Sequence, residues 1–257
     1  MLDINHFISN MNKYILGKEI FPNIFEIRDY PNIIAKKYNN SLRKKYEEKR
    51  LLKIQNVQYV PRILYTTQYM IYMRKIPGED LFNIITRKKR LLENECKHIT
   101  YKLLNIIKEI HHLGVIHGDI KPENIMYNES SQEVTLIDFE FRRHTENYRS
   151  PESYFQKNKT ISEDIWCLGA TVYTLLMGHN PYNSHEHLFS GLDYYPLDNK
   201  RLSINAIDFV QKLLTWESSK RPSVEECLDH DWFKSDTIVI IDYEREPIIK
   251  KKCCVIL

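Results

Sequence analysis

The feature that most limits what this chain can fold into is a change of hydrophobic period near Gly78. Before it, residues 13–76 carry short apolar runs broken by turn residues, such as Ile24-Phe25-Glu26-Ile27, Asp29-Tyr30-Pro31-Asn32 and Ile33-Ile34-Ala35-Lys36-Lys37-Tyr38, which read as strands joined by tight turns. One charged, helix-forming segment from Ser41 to Ile54 interrupts them, with Leu51 and Leu52 closing an apolar face. After Gly78 the period becomes 3.6, as in Cys96-Ile99-Leu103-Ile106-Ile107-Ile110, Ile165-Leu168-Val172-Leu175 and Ala206-Phe209-Val210-Leu213-Leu214. The expected fold class is α+β: a small β-rich lobe with one helix, then a larger helical lobe, with a ligand cleft between them.

Composition narrows the possibilities further. With 257 residues, 42% hydrophobic and 28% charged, the chain is long enough to bury a large core, which excludes disorder. A net charge of +3 is too small to imply a nucleic-acid partner, and none is expected. The odd set of five cysteines (Cys96, Cys167, Cys227, Cys253, Cys254) contains no C-x-x-C pair, arguing against a disulfide framework or zinc site and for a reducing compartment. The N-terminus has an early acid and no long apolar run, so neither a signal peptide nor a membrane span is expected.

The chemistry concentrates in Val115-Ile116-His117-Gly118-Asp119-Ile120-Lys121-Pro122-Glu123-Asn124-Ile125-Met126, a loop between an apolar helix and an apolar strand. A carboxylate at Asp119 can orient and deprotonate a hydroxyl, Lys121 can neutralise a transferring phosphoryl group, and the Asn124 carbonyl can hold a hard cation. Farther on, Leu136-Ile137-Asp138-Phe139 ends a strand with a second acid suited to Mg²⁺.

These two elements resemble the catalytic loop and metal-binding motif of the eukaryotic-type Ser/Thr protein kinases, and the resemblance covers roughly residues 13–233. Asn147-Tyr148-Arg149-Ser150-Pro151-Glu152 is similar to the end of an activation segment, and Asp164-Ile165-Trp166-Cys167-Leu168-Gly169 to the helix that anchors the catalytic loop. Lys220-Arg221-Pro222-Ser223 and His230-Asp231-Trp232-Phe233 resemble the family's closing signature. The resemblance implies a bilobal kinase domain over 13–233, divided near 76/77 and flanked by a 1–12 extension and a 234–257 tail. It also implies a structural ion pair between Glu152 and Arg221, and a Thr145 that touches Asp119 and Lys121. Asp119 and Lys121 would be catalytic, and Asn124 and Asp138 would hold Mg²⁺, or Mn²⁺ as the alternative, with ATP.

The ATP-binding residues carried over are Gly17, Ile24, Lys36, Glu48, Met73, Ile76 and Asp80. Leucine spacing in Glu47-Glu48-Lys49-Arg50-Leu51-Leu52 selects Glu48 as the acid that pairs with the strand lysine. That lysine is Lys36 or Lys37: Lys36 is favoured, Ala35 has the family's spacing to Lys37, and strand alternation sends the two to opposite faces. Met73 is expected at the back of the adenine pocket, the Ile76 backbone at the adenine edge and Asp80 at the ribose. The phosphate loop departs from the family's pattern, because only Gly17 survives in Leu16-Gly17-Lys18-Glu19-Ile20-Phe21-Pro22-Asn23-Ile24. Pro22 has no N–H to offer a phosphate, Glu19 brings a negative charge, and Glu140 replaces the glycine after Asp138-Phe139. These features favour the alternative of a pseudokinase scaffold; compactness and the divergent loop are similar to minimal kinases of large DNA viruses, baculovirus kinases among them.

His111, His112 and His117 read as packing rather than metal ligands, and the basic runs at 36–53 and 87–90 as solvated faces before docking surfaces. With Gly118 where many such kinases have a phosphate-receiving arginine, activity without activation-segment phosphorylation is expected. The terminus Lys250-Lys251-Lys252-Cys253-Cys254-Val255-Ile256-Leu257 is a C-a-a-X motif with a polybasic flank. Geranylgeranylation at Cys254 and palmitoylation at Cys253 would tether a monomeric kinase to the cytosolic leaflet of a eukaryotic membrane, where it would meet protein substrates.

Overall fold

The computed structural model describes residues 16–140, 145–155, 159–190 and 194–234; the N-terminal extension and the lipidation positions Cys253 and Cys254 lie outside the described residues. The β-rich lobe is an antiparallel sheet of β1 (Leu16–Phe21), β2 (Ile24–Ile27), β3 (Tyr30–Lys37), β4 (Ile63–Thr66) and β5 (Met70–Arg74), in the order β1-β2-β3-β5-β4. Pro22 and Asn23 make the first hairpin turn, Asn23 taking φ 63°, which asparagine tolerates better than most residues. Strand alternation gives the sheet two faces. Ile27, Tyr30, Ile33, Ala35 and Tyr72 form a small outer cluster, while Tyr38, Ile71 and Met73 join the main core.

Helix α1 (Ser41–Lys53) begins at Asn40, whose side-chain oxygen accepts from the Leu42 amide at 2.8 Å and the Arg43 amide at 3.3 Å. Its buried stripe is Lys44, Glu47, Arg50 and Leu51, so three of the four inward positions are charged. That composition conceals the inward face from a hydropathy reading.

The helical lobe starts at β6 (Glu79–Asp80), which pairs with β7 (Ile125–Asn128) and β8 (Glu133–Leu136) in a three-stranded sheet. Around it run α2 (Leu81–Lys88), α3 (Glu93–His112), α4 (Ile161–Met177), α5 (His185–Phe189), α6 (Ile204–Leu213), α7 (Val224–Leu228) and α8 (Asp231–Lys234). Helix α4 is buried on every side from Glu163 to Leu176, as an apolar central helix should be. A Cβ on its Gly169 would lie 2.8 Å from Leu213 Cβ, so glycine is what lets α4 and α6 approach. The main core runs without interruption from Leu51 of α1 and Ile54 just after it through Ile120 and Phe139 to α4. The catalytic-loop segment is therefore held between both lobes. No helix among the described residues is long and apolar enough to cross a membrane.

Candidate active site

The loop after α3 is fixed by one carboxylate. Asp164, fully buried in the first turn of α4, accepts from the amides of His117 at 2.8 Å and Gly118 at 2.6 Å, and lies 2.7 Å from His111 Nε2. Burial alone would raise its pKa, but these bonds outweigh it and hold the carboxyl below its ordinary value. His117 Nε2 lies 2.9 Å from the Ile137 carbonyl, its Nδ1 accepts from the Asp119 amide at 3.2 Å, and the ring packs edge-on against Phe139. Both ring nitrogens are spent on backbone, which leaves no lone pair for a metal.

This anchoring sets Asp119, Lys121, Asn124 and Thr145 together. Thr145 Oγ1 donates to Asp119 Oδ1 at 3.0 Å, Lys121 Nζ donates to Thr145 Oγ1 at 2.6 Å, and Lys121 Nζ is 3.1 Å from Asp119 Oδ2. Burial would raise the Asp119 pKa, but Lys121 prevails and the carboxyl stays ionised below its usual range. The Asn124 amide nitrogen donates to the Asp119 carbonyl at 2.7 Å and to its Oδ2 at 3.1 Å. With the nitrogen so committed, the amide oxygen keeps its lone pairs for a hard cation.

The β-rich lobe contributes Lys36. Its Nζ lies 2.7 Å from Glu47 Oε2, 2.6 Å from Asp138 Oδ1 and 3.6 Å from Glu140 Oε2. Burial would lower its pKa, but Glu47 and Asp138 outweigh burial and keep the ammonium charged. Its neighbour Lys37 is exposed at the end of β3, so alternation settles which lysine enters the site.

The acid partner is Glu47, not the expected Glu48. Leu51 is buried while Leu52 is 56% exposed, so the inward face passes through Leu51 and, one turn earlier, Glu47. Glu48 points elsewhere, accepting from Thr66 Oγ1 at 2.6 Å and pairing with Lys44 at 2.9 Å. Asp138 sits at φ 63°, a left-handed backbone that a non-glycine residue adopts at some cost and that clusters at functional sites.

The nucleotide-side positions divide. Met73 is buried on β5 and Ile76 follows in the connection to β6, half-buried. Gly17 lies on β1, where a Cβ would come 3.1 Å from the Glu26 carbonyl, and Ile24 opens β2. Asp80 is buried and caps α2, accepting from the Asn83 amide at 2.8 Å and the Asn83 side chain at 2.6 Å. Each carboxylate oxygen thus accepts one hydrogen bond of the cap. Glu19 accepts the Asn23 amide at 2.6 Å, closing the hairpin turn with its own carboxylate.

Four residues of the site lay outside the sequence reading. Tyr38 Oη donates to Glu47 Oε2 at 2.7 Å, and Arg43 Nε meets Glu140 Oε1 at 3.0 Å. Arg50 donates from α1 to the carbonyls of Phe139 at 2.6 Å, His117 at 3.2 Å and Ile116. Lys159 Nζ donates to the Gly118 carbonyl at 2.8 Å. A signal existed for Arg50, which lies one turn after Glu47 on the same stripe, but arginine inside a helix face reads as solvated.

A twisted sheet whose lysine pairs with a single helix, placed over a helical lobe that holds an Asp/Lys/Asn loop, is the bilobal fold of a protein kinase. The chain belongs to the protein kinase domain family, which matches residues 33–233. It is 31% identical over 202 residues to the serine/threonine-protein kinase dkf-2 of Caenorhabditis briggsae, covering 71% of this chain and 17% of that protein. It is 26% identical over 231 residues to the calcium/calmodulin-dependent protein kinase cmkA of Emericella nidulans, covering 80% and 56%. The chain thus spans from about a sixth to just over half the length of these curated relatives. Among solved structures, the Cydia pomonella granulovirus kinase PK-1 superposes with a TM-score of 0.74 at 20% identity, covering 90% of this chain and 98% of that one.

Proposed function

We propose that this protein is a serine/threonine kinase that transfers the γ-phosphoryl group of ATP to a protein hydroxyl. The observation that carries the reading is the Asp119–Thr145–Lys121 triangle, with an ionised carboxylate at its centre. Asp119 accepts the proton of the substrate hydroxyl as its oxygen bonds to phosphorus. The bond from phosphorus to the bridging oxygen of ADP breaks, and Lys121 offsets charge on the moving phosphoryl oxygens. A carboxylate is a weak base, so Asp119 serves more by orienting the hydroxyl than by strong basicity. Lys36, steadied by Glu47, binds the α- and β-phosphates. Asn124 and Asp138 would hold Mg²⁺, or Mn²⁺, which supplies charge neutralisation at the phosphates. An open cavity of about 540 Å³ lined by Asn147, His179, Asn180, Tyr182, Asn183 and Tyr195 gives a protein substrate room beside the Thr145 segment.

The C-a-a-X terminus supports a membrane-tethered enzyme: a prenyl chain on Cys254, a second lipid on Cys253 and three lysines together give stable rather than marginal anchoring. A second reading, a scaffold without catalysis, is favoured by Glu19, whose carboxylate already holds a turn amide that would otherwise face the nucleotide. Calorimetry of ATP binding with and without Mg²⁺ separates the two: the kinase reading requires Mg²⁺-dependent binding, and its absence leaves the scaffold.

A further inference from the structure

Arg50 is the contact between α1 and the catalytic loop that needs an explanation. A guanidinium 9% exposed is costly to bury, and among the described residues this one makes no ion pair; it donates to the carbonyls of Ile116, His117 and Phe139. Two of those carbonyls belong to the turn that leads into Asp119, and the third follows Asp138. The guanidinium also lies over the rings of Phe139 at 5.7 Å and Tyr46 at 5.6 Å. Arg50 stands one turn from Glu47 on the same buried stripe, so whatever fixes Arg50 fixes the Glu47–Lys36 pair.

The next carbonyl in the loop is held from another direction. Gly118 has φ 72°, and a Cβ there would lie 2.1 Å from Lys159 Cδ, so Lys159 fills the space a side chain at 118 would need. Its Nζ donates to the Gly118 carbonyl. Three successive carbonyls, 116 to 118, are therefore held by two cations, while Asp164 holds the amides of 117 and 118. Among the described residues, none of the three side chains that hold 116–118 lies between Asp138 and Glu152, the activation segment, whose Thr145 instead meets Asp119 and Lys121 farther along the loop. The loop is already tied to both lobes.

We propose that Arg50 is a positioning residue for phosphoryl transfer, fixing α1 and its Glu47–Lys36 pair to the catalytic loop so that the site assembles without a phosphate on the activation segment. The inference rests on the kinase reading above and concerns only how the site is held.

The test compares phosphatase-treated wild type, confirmed unphosphorylated by mass spectrometry, with Arg50→Met, Arg50→Lys and Arg50→Ala, using casein as a generic substrate. Wild type should stay active. Arg50→Met, which keeps the apolar stem, should lose at least tenfold in kcat while retaining a cooperative melt, and Arg50→Lys should fall between. Methylguanidinium should restore part of the Arg50→Ala activity. If folded Arg50→Met keeps wild-type kcat, or if dephosphorylated wild type is inactive while the phosphorylated form works, the proposal is wrong. A wild type inactive in every form overturns the kinase reading and this inference with it. Should the variants fail to fold, hydrogen exchange on wild type decides: residues 44–51 and 115–118 exchanging at a common rate supports the coupling, and α1 opening a hundredfold faster than the loop overturns it.

Discussion

Replacing Arg221 by methionine should destabilise the helical lobe more than any surface substitution. Its side chain is fully buried, donating to Glu152 at 2.6 and 2.8 Å and to the carbonyls of Thr215 at 2.8 Å, Ser162 at 3.0 Å and Trp216 at 3.0 Å. The guanidinium also lies 4.8 Å from the Trp166 ring centre. Arg221→Met fills similar volume but leaves a carboxylate and three carbonyls without their donor, which should cost about 3–5 kcal/mol. For a chain of this size that lowers Tm by roughly 6–20 °C, at about 2–4 °C per kcal/mol. Burial would raise the Glu152 pKa, but Arg221 prevails and the folded value lies below its ordinary 4.5. The stabilisation is therefore complete above pH 4.5 and lost as pH falls through the lower folded value. Circular-dichroism melts of wild type, Arg221→Met and Glu152→Gln at neutral pH and near pH 4 measure both effects. The gap between wild type and Glu152→Gln should narrow in acid. An Arg221→Met protein that melts within 2 °C of wild type would refute the reasoning, as would a gap that widens in acid.

Three further outcomes follow from the site. Glu47→Gln should lower kcat/KM about a hundredfold while Glu48→Gln stays within about twofold, because only Glu47 meets Lys36; steady-state kinetics that reverse this order would return Glu48 to the site. Glu19→Ala should lower the KM for ATP about fivefold, worth about 1 kcal/mol, by freeing the Asn23 amide and removing a charge from the phosphate side; an unchanged KM would place the carboxylate outside the nucleotide's field. In eukaryotic cells, wild type should fractionate with membranes and Cys254→Ser should be released, whereas equal soluble fractions would make the terminal motif a coincidence.

Sequence and structure agree most closely where residue spacing is rigid. The period change at Gly78 separates a first sheet ending at Arg74 from a second starting at Glu79, and the Asp119/Lys121/Asn124 spacing fits within one anchored loop. Strand alternation requires Lys36 and Lys37 to part, and only the folded strand shows that Lys36 is the one facing the site. The helix was harder. On α1 the inward face is charged, so leucine spacing is a poor guide to it and points to Glu48 where Glu47 turns inward. The partners of Arg50, Lys159 and Tyr38 lie 89, 41 and 9 residues away, respectively, so only the fold shows what each side chain meets. Of the two basic runs, the structure separates what composition could not. Arg87 and Lys88 are paired with Glu79, Glu95 and Glu129, whereas Lys45 and Lys49 stand exposed on α1.

Phosphoryl transfer by this chain, as proposed, depends on Asp119. The direct measurement is transfer of radiolabelled γ-phosphate from Mg-ATP to casein by wild type and by Asp119→Asn, each checked for a native melt. Wild type should label serine and threonine, and Asp119→Asn should lose at least a thousandfold in rate without losing its fold. A wild type that binds Mg-ATP yet labels nothing, or an Asp119→Asn protein that labels as fast as wild type, would contradict the account.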